Sequence, residues 1–201
     1  MYHPLWLQHH DDEAADEPFA LRWVALAFIC VAIFISAIDT TIANVALSSI
    51  GVDLGASTSG LQWVMDAFNI VLAAFVLLGG GLADRWGRKG TFMAGFALFG
   101  VASSTAALSP NLGVLVASRA AMGLGAALIY PAALSLLAAI FPPDERLRAI
   151  AIWSSVGGAG LAFGPVLGGL LLDHFWWGSV FLVNVPVVIV GLVGTALVVP
   201  T

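Results

Sequence analysis

The sequence predicts an all-α integral membrane protein with six transmembrane helices. Of its 201 residues, 60% are apolar and only 9% are charged, and the mean hydropathy is +1.00. A bilayer helix needs roughly 20 mostly apolar residues, and the chain contains six such runs separated by short polar breaks. None alternates polar and apolar residues as the strands of a membrane barrel do. An ordinary soluble domain is therefore excluded.

The six predicted helices account for nearly all of the chain after an acidic start. They are expected at about 22–48, 60–83, 90–108, 112–140, 148–172 and 178–199. Each is long enough to cross a bilayer with some tilt, and together they form one bundle at 22–199. Residues 1–21 contain five acids, whereas a cleavable signal peptide begins with basic residues. We expect this segment to be a disordered, acidic cytoplasmic tail.

The residue types that carry enzymatic or metal chemistry are sparse. His9 and His10 lie beside the acids of the tail, where a solvated segment explains them better than a metal site does. Cys30 is the single cysteine, and neither a phosphate-binding loop nor a catalytic grouping is present. We expect a protein that is not an enzyme, with no metal, cofactor or nucleic-acid partner.

The seven Lys and Arg residues predict the orientation in the membrane. With the N-terminus inside, Arg22 and the loops at 84–89 and 141–147 face the cytoplasm, while the three opposite loops contain neither Lys nor Arg. Basic residues are enriched in cytoplasmic loops. We therefore expect a multi-pass protein of the plasma membrane with both termini in the cytoplasm.

Three ionisable residues lie inside predicted spans, where each costs roughly 2.5–3.5 kcal/mol at a helix centre. They are expected to face the bundle or one vestibule open to the exterior. Asp39 fits either a proton or cation site or a helix–helix hydrogen bond. Asp66, with Asn69 one turn later, fits either an acidic contact for a cationic substrate or an interfacial acid. Arg119 fits either a partner that tunes a carboxylate or a purely structural ion pair.

Small residues form a stripe on the fifth predicted helix. Gly160, Gly164 and Gly168 recur every four residues, and Gly169 lies beside them. This spacing predicts close contact with a neighbouring helix, and Pro165 is expected to kink the helix. Such a stripe also suits a helix that rocks against its neighbour. A related stripe on the fourth helix consists of Arg119, Met122, Gly123, Ala126 and Tyr130.

Five segments, in order, resemble motifs of the major facilitator superfamily, and most closely its fourteen-helix drug:proton antiporter branch. The most specific is Gly-Gly-Leu-Ala-Asp-Arg-Trp-Gly-Arg-Lys-Gly-Thr-Phe at 80–92, which is similar to the signature between the second and third helices. The other four lie at 39–47, 119–127, 160–169 and 181–186. The segment 62–66 is most similar to that of pumps for quaternary ammonium compounds. Two departures are Met122, where the family pattern has Gln, and Gly178, where it often has Arg.

The resemblance implies roles for individual residues. Asp39 and Arg119 would take part in proton coupling, and Asp66, Asn69 and Tyr130 would contact substrate. The gating loop would consist of Gly80, Asp84, Arg85, Gly87, Arg88 and Lys89. The antiporter motif, which would set a conformational hinge, would consist of Gly160, Gly164, Pro165, Gly168 and Gly169.

The implied function is efflux of lipophilic cationic drugs, hence antibiotic resistance, driven by a proton gradient without a cofactor. Its partners would be the lipid bilayer, protons and cationic small molecules. Since the family has two six-helix halves, the chain is expected to be an N-terminal half, with a missing C-terminal half as its partner. Alternatives are a half-transporter that forms a homodimer, a truncated and non-transporting membrane scaffold, and an uptake symporter for a small metabolite.

Overall fold

The protein, seen in a computed structural model that describes residues 19–200, is built there from helices without strands. The helices are α1 (Arg22–Asp53), α2 (Thr58–Trp86), α3 (Arg88–Ala107), α4 (Leu112–Ile140), α5 (Pro143–His174), α6 (Ser179–Leu182) and α7 (Asn184–Val198). Six spans are long and apolar enough to cross a membrane, the sixth being α6 and α7 together. The predicted all-α class with six spans is confirmed. Most of the predicted tail, 1–18, lies outside the described residues.

Several helices extend further than hydropathy predicts. α1 continues to Asp53 rather than ending at 48, and α5 begins at Pro143 rather than at 148. Proline suits the first position of a helix, and Asp144 and Glu145 in the first turn of α5 are favoured by the helix dipole. Helical hydrogen bonding thus continues past the apolar core, where a hydropathy window ends. The sixth span is interrupted at Val183, which separates α6 from α7.

The helices pack in pairs around a core built chiefly from α1, α3 and α4. α1 packs mainly against α5 and α7, α2 packs against α4, and α3 packs against α4 and α7. α2 and α5 bury few of their side chains. In a bilayer, their outward apolar faces are available to lipid or to another protein unit.

The α1–α5 contact is very close, as the glycine stripe predicts. A Cβ added to Gly160 would lie 2.7 Å from the carbonyl oxygen of Phe34, and one added to Gly164 would lie 2.9 Å from that of Ile38. Thr41 Oγ1 also donates a hydrogen bond to the carbonyl of Leu161, at 3.2 Å. Only glycine allows the two backbones to approach this closely.

A single residue, Gly87, separates α2 from α3. Its φ of +91° is readily adopted by glycine and rarely by other residues. Asp84 and Arg85 belong to the last turn of α2, and Arg88 is the first residue of α3. The predicted short connection is therefore confirmed, although all four of its charged residues, Lys89 included, lie on helices rather than in a loop.

Six of the seven basic residues lie at one end of the bundle. There, a cavity of about 420 Å³ is lined by residues from the start of α1, the α2–α3 junction and the ends of α4 and α7, including Phe19, Arg88, Ile140 and Pro200. At the same end Arg22 Nε lies 2.6 Å from Glu145 Oε2. The first and last helical ends of the described chain thus lie on the same side, as six spans require. That this side faces the cytoplasm stays a prediction.

Candidate functional site

The centre of the bundle contains a buried ion pair between α1 and α4. Arg119 Nη1 donates to Asp39 Oδ2, and both side chains are 0% exposed. Asp39 lies near the middle of α1, and Arg119 lies two turns after the start of α4. Taking two charges out of water is costly unless they are paired with good geometry. The structure therefore brings together the two residues that the sequence proposed for proton coupling.

The remaining contacts of Arg119 come mainly from α2. Its Nε donates to the carbonyl oxygen of Val64 at 3.1 Å, and its guanidinium carbon lies 4.6 Å from the centroid of the Phe68 ring. A second ring, that of Phe181 in α6, lies 5.8 Å away. Cation–π contact of this kind stabilises a desolvated guanidinium. Arg119 thus joins α1, α2, α4 and α6 at one point.

The second oxygen of Asp39 is bound from the opposite side of the cluster. Asn184 Nδ2 donates to Asp39 Oδ1 at 3.0 Å and to Ser103 Oγ at 2.9 Å. Ser103 Oγ in turn donates to the carbonyl oxygen of Phe181 at 2.8 Å. Asn184 and Ser103 are both fully buried. The site is therefore a network that joins α1 and α4 to α3, α6 and α7.

Sequence reasoning did not identify Asn184 or Ser103 as site residues. Asn184 had a usable signal, since it is an amide inside an apolar run and within the 181–186 segment that carries the family resemblance. Ser103 had none, because a serine in a membrane helix commonly bonds to its own backbone. Only the approach of α7 to α3 reveals its role.

Tyr130 of α4 lies close to this network because it contacts the turn of α1 that precedes Asp39. Its hydroxyl is 2.9 Å from Ser36 Oγ, and Ser36 is one turn before Asp39 on the same helix. Ser36 is fully buried, whereas Tyr130 is half-buried. Tyr130 thus places a polar group between the buried pair and the basic end of the bundle.

Asp66 and Asn69 lie on another surface. Val64 and Phe68 of α2 face Arg119, whereas Asp66 is exposed on the outward side of the same helix. Asn69, also exposed, donates from Nδ2 to the carbonyl oxygen of Met65 in its own helix at 3.2 Å. The expectation of one vestibule shared by the three ionisable residues is not met, because Asp39 and Arg119 have no exposed surface.

The residues of the predicted gating loop divide into two groups. Asp84, Arg85 and Arg88 are exposed at the basic end. Lys89, in contrast, donates from Nζ to the carbonyl oxygens of Ala196, at 3.0 Å, and Val199, at 2.6 Å. Lys89 therefore stabilises the end of α7, a contact that the sequence did not predict. Gly80 and Gly87 lie on α2 and at the α2–α3 junction.

The antiporter motif is divided between two faces of α5. Gly160, Gly164 and Gly168 are buried against α1. Gly169 has open space where a Cβ would lie, and Pro165 is exposed on a helix that continues through it without interruption. The glycines pack the helix pair, while the proline faces outward.

Both departures from the family pattern lie in closely packed surroundings. Met122, which stands in place of Gln, is buried with its sulfur 3.8 Å from Arg119 Nη1. A Cβ on Gly178, which stands in place of Arg, would lie 3.1 Å from the carbonyl carbon of Ala107. In this chain a longer side chain at that position would require the α3 and α6 backbones to separate.

This arrangement is suited to a protonation switch. A buried carboxylate is stable beside a buried guanidinium as long as both are charged, and neutralising one leaves the other uncompensated in an apolar core. A proton on Asp39 would thus weaken the contact between α1 and α4. Ionisable residues inside membrane bundles are typical of proton relays and ion pathways.

Comparison with known proteins agrees with this architecture. A sequence profile of the Major Facilitator Superfamily matches residues 29–201. The methyl viologen resistance protein SmvA of Salmonella typhimurium is 44% identical over 180 residues, which are 89% of this chain and 36% of that protein. The multidrug efflux pump LfrA of Mycolicibacterium smegmatis is 43% identical over 168 residues, 83% of this chain and 33% of the pump.

A third relative is the tetracenomycin C resistance and export protein of Streptomyces glaucescens. It is 41% identical over 171 residues, 85% of this chain and 32% of that protein. The chain spans about a third of the length of these curated relatives. The family profile covers most of the chain, and the six spans and the predicted motifs agree with it. The chain belongs to the Major Facilitator Superfamily, a family of membrane transporters rather than enzymes.

Proposed function

We propose that this six-helix unit is the N-terminal half of a proton-coupled antiporter that exports lipophilic cationic drugs. The observation that carries the proposal is the Asp39–Arg119 ion pair, which is fully buried where a pair of charges is costly. The names of the relatives support drug export, and one of them confers resistance to methyl viologen, an organic dication.

In the proposed mechanism Asp39 carries the coupling proton. Its ionised form is bound by Arg119, and the proton neutralises the carboxylate and releases the guanidinium. Because the two states differ in which helix contacts are stable, the proton gradient shifts the balance between inward-facing and outward-facing conformations. The proton gradient is the energy source, and the mechanism requires no cofactor.

Substrate recognition is assigned to exposed and half-buried polar groups outside the buried pair, on two separate surfaces. Asp66 offers a carboxylate to a cation and Asn69 an amide on the same exposed face of α2. Tyr130, bonded to Ser36, offers a half-buried hydroxyl near the centre.

The gating loop would engage a second six-helix unit. Asp84, Arg85 and Arg88 are exposed at the basic end, where charged residues of a C-terminal half, or of a second copy of the chain, could bind them. Alternating access in this family of folds rocks one half against the other. We assign the protein to the plasma membrane, with the basic end and both termini in the cytoplasm.

The test is transport by everted membrane vesicles from cells that express the complete gene. With an imposed proton gradient, the vesicles should move ethidium, and Asp39→Asn should abolish the gradient-driven movement while leaving ethidium binding intact. Asp173→Asn, which changes an exposed acid on α5, is the matched control and should behave as the wild type. The same assay on the 201-residue chain shows whether this unit transports alone.

Three results would contradict the proposal. Ethidium movement that does not depend on the proton gradient would exclude proton coupling. Loss of ethidium binding in Asp39→Asn with coupling intact would reverse the roles of the two acids. Transport of a small metabolite in the direction of the proton would favour a symporter.

A further inference from the structure

Asn184 is the second residue that binds the Asp39 carboxylate, and the proposed coupling role does not yet use it. Arg119 of α4 binds Oδ2, and Asn184 of α7 donates to Oδ1 at 3.0 Å. All three residues are 0% exposed, so water does not compete for these bonds. The ionised carboxylate is thus held between two helices, one partner on each oxygen.

Asn184 lies at the α6–α7 joint, the point in the sixth span where helical hydrogen bonding is interrupted although Val183 keeps right-handed helical dihedral angles. α6 ends just before Val183, and Asn184 is the first residue of α7. Pro186 has no N–H, so the carbonyl four residues before it has no helical donor. Ser103 of α3 donates to the carbonyl oxygen of Phe181 at 2.8 Å. Asp39 of α1 and Ser103 of α3 thus bind the span on either side of Leu182, the residue whose carbonyl Pro186 leaves without a helical donor.

The bond from Asn184 to Asp39 depends on the charge of the carboxylate. A hydrogen bond to an ionised acceptor is roughly twice as strong as one between neutral groups. When Asp39 is protonated, its bond to Asn184 weakens, whereas the bond from Asn184 to Ser103 does not change. The joint is then held mainly through α3.

We propose that Asn184 is a positioning residue that stabilises the ionised form of Asp39 and transmits the charge state of Asp39 to the α6–α7 joint. This inference rests on the proposed proton-coupling function of Asp39. The 181–186 segment would then respond to the charge of Asp39, a role that the Asp39–Arg119 pair alone does not give it.

The groups around Asp39 decide whether a change in the pH dependence of efflux can be attributed to its carboxylate. Among residues 19–200, Arg119 is the charged group in contact with it. The polar side chains nearby are uncharged: Ser103 of α3, Tyr130 of α4 and Asn184 of α7. On α2, Asp66 is exposed on the outward face. The charged residues of α5 lie within its first and last two turns, far from the middle of the bundle.

The decisive variant is Asn184→Ala in the full-length protein. Removing a hydrogen-bond donor from the ionised carboxylate destabilises that form relative to the neutral carboxyl. We expect the pH of half-maximal proton-driven ethidium efflux to rise by about one unit, which corresponds to a tenfold change in the proton equilibrium. Asn184→Ser, which keeps a shorter donor, should give a smaller rise.

A second readout does not depend on transport. The infrared band of the protonated Asp39 carboxyl, identified by its loss in Asp39→Asn, can be followed against pH in the purified protein. Its midpoint should rise in Asn184→Ala by the same amount as the efflux midpoint. Thr195→Val is the matched control, because Thr195 is a fully buried polar residue of the same helix that does not contact Asp39. It should leave both midpoints unchanged.

Hydrogen exchange tests the transmission to the joint. In the wild type, exchange at 181–186 should increase on acidification, and in Asn184→Ala it should be raised at every pH. Slower efflux or lower stability in Asn184→Ala, with unchanged efflux and infrared midpoints, would overturn the proposal. A fall in either midpoint would also overturn it, as would hydrogen exchange at 181–186 that does not depend on pH in the wild type. Absence of proton-dependent efflux from the wild type would refute the proposed function, while the infrared midpoint would still decide the role of Asn184.

Discussion

Trp177 donates a hydrogen bond from Nε1 to Asp53 Oδ2 at 2.6 Å. This bond ties the connection after α5 to the last residue of α1. At the other end of the same helix pair, Arg22 and Glu145 form an ion pair at 2.6 Å. Between the two ties the backbones touch along the glycine stripe. The arrangement favours movement of α1 and α5 as one unit, because a change in their crossing angle would break a tie at one end.

Trp177→Phe should lower the free energy of unfolding by about 1 kcal/mol, since it removes a hydrogen bond to a charged acceptor but keeps an aromatic ring. Thermal unfolding of the purified protein measures the effect. Asp53→Ala should cost a similar amount, and the double variant should cost less than the sum of the two. Strictly additive losses would show that the two residues do not interact.

Gly164→Ala should destabilise the protein by about 1–3 kcal/mol, the usual cost of overpacking a close contact. The new methyl group would lie 2.9 Å from the carbonyl oxygen of Ile38 and would also meet the side chain of Thr41. Gly169→Ala is the matched control, because nothing lies within 4 Å of its added Cβ. It should be neutral or slightly stabilising, since alanine favours a helix over glycine. Equal thermal stability of the two variants would contradict the packing described for α5.

Lys89→Met should loosen the end of α7. The ammonium group bonds two carbonyl oxygens there, those of Ala196 and Val199, and basic groups near a helix C-terminus stabilise it. We expect a loss of about 1 kcal/mol in unfolding free energy and faster hydrogen exchange at 194–199. Arg88→Met, one residue earlier and exposed, should change neither quantity. Similar effects of both substitutions would indicate a general response to lost positive charge.

Asp66→Asn should weaken the binding of dicationic substrates more than the binding of monocationic ones. An exposed carboxylate attracts each unit charge by about 1 kcal/mol at 4 Å in water, so a dication close to it loses about twice the free energy. Competition binding with methyl viologen and ethidium measures the difference. The Asp173→Asn control, with its acid on α5, should leave both affinities unchanged. An equal loss for both ligands would exclude a charge-reading role for Asp66.

The candidate site was only partly predictable from the sequence. Asp39 and Arg119 stand out because a charge in an apolar run is costly and needs a reason. Their pairing joins residues 80 positions apart, and no local pattern encodes which helices meet. Asp66 attracted the same attention for the same reason, yet it lies on the outward face of α2. Burial cost identifies candidates but does not show which of them share a site.

The sequence by itself determined the six spans, the very short α2–α3 connection, the close-packed face of α5 and the family. These features depend on local properties, namely the length of apolar runs, the spacing of glycines and the order of motifs. The tertiary structure alone decided that α5 packs on α1, that Lys89 binds the end of α7, and that Asn184 completes the coordination of Asp39. Those contacts depend on how each helix is rotated about its axis and which neighbours it meets, and lipid-facing and protein-facing positions can be equally apolar. Local sequence patterns therefore predict the helices of this protein, whereas the contacts between helices depend on rotations that no local pattern encodes.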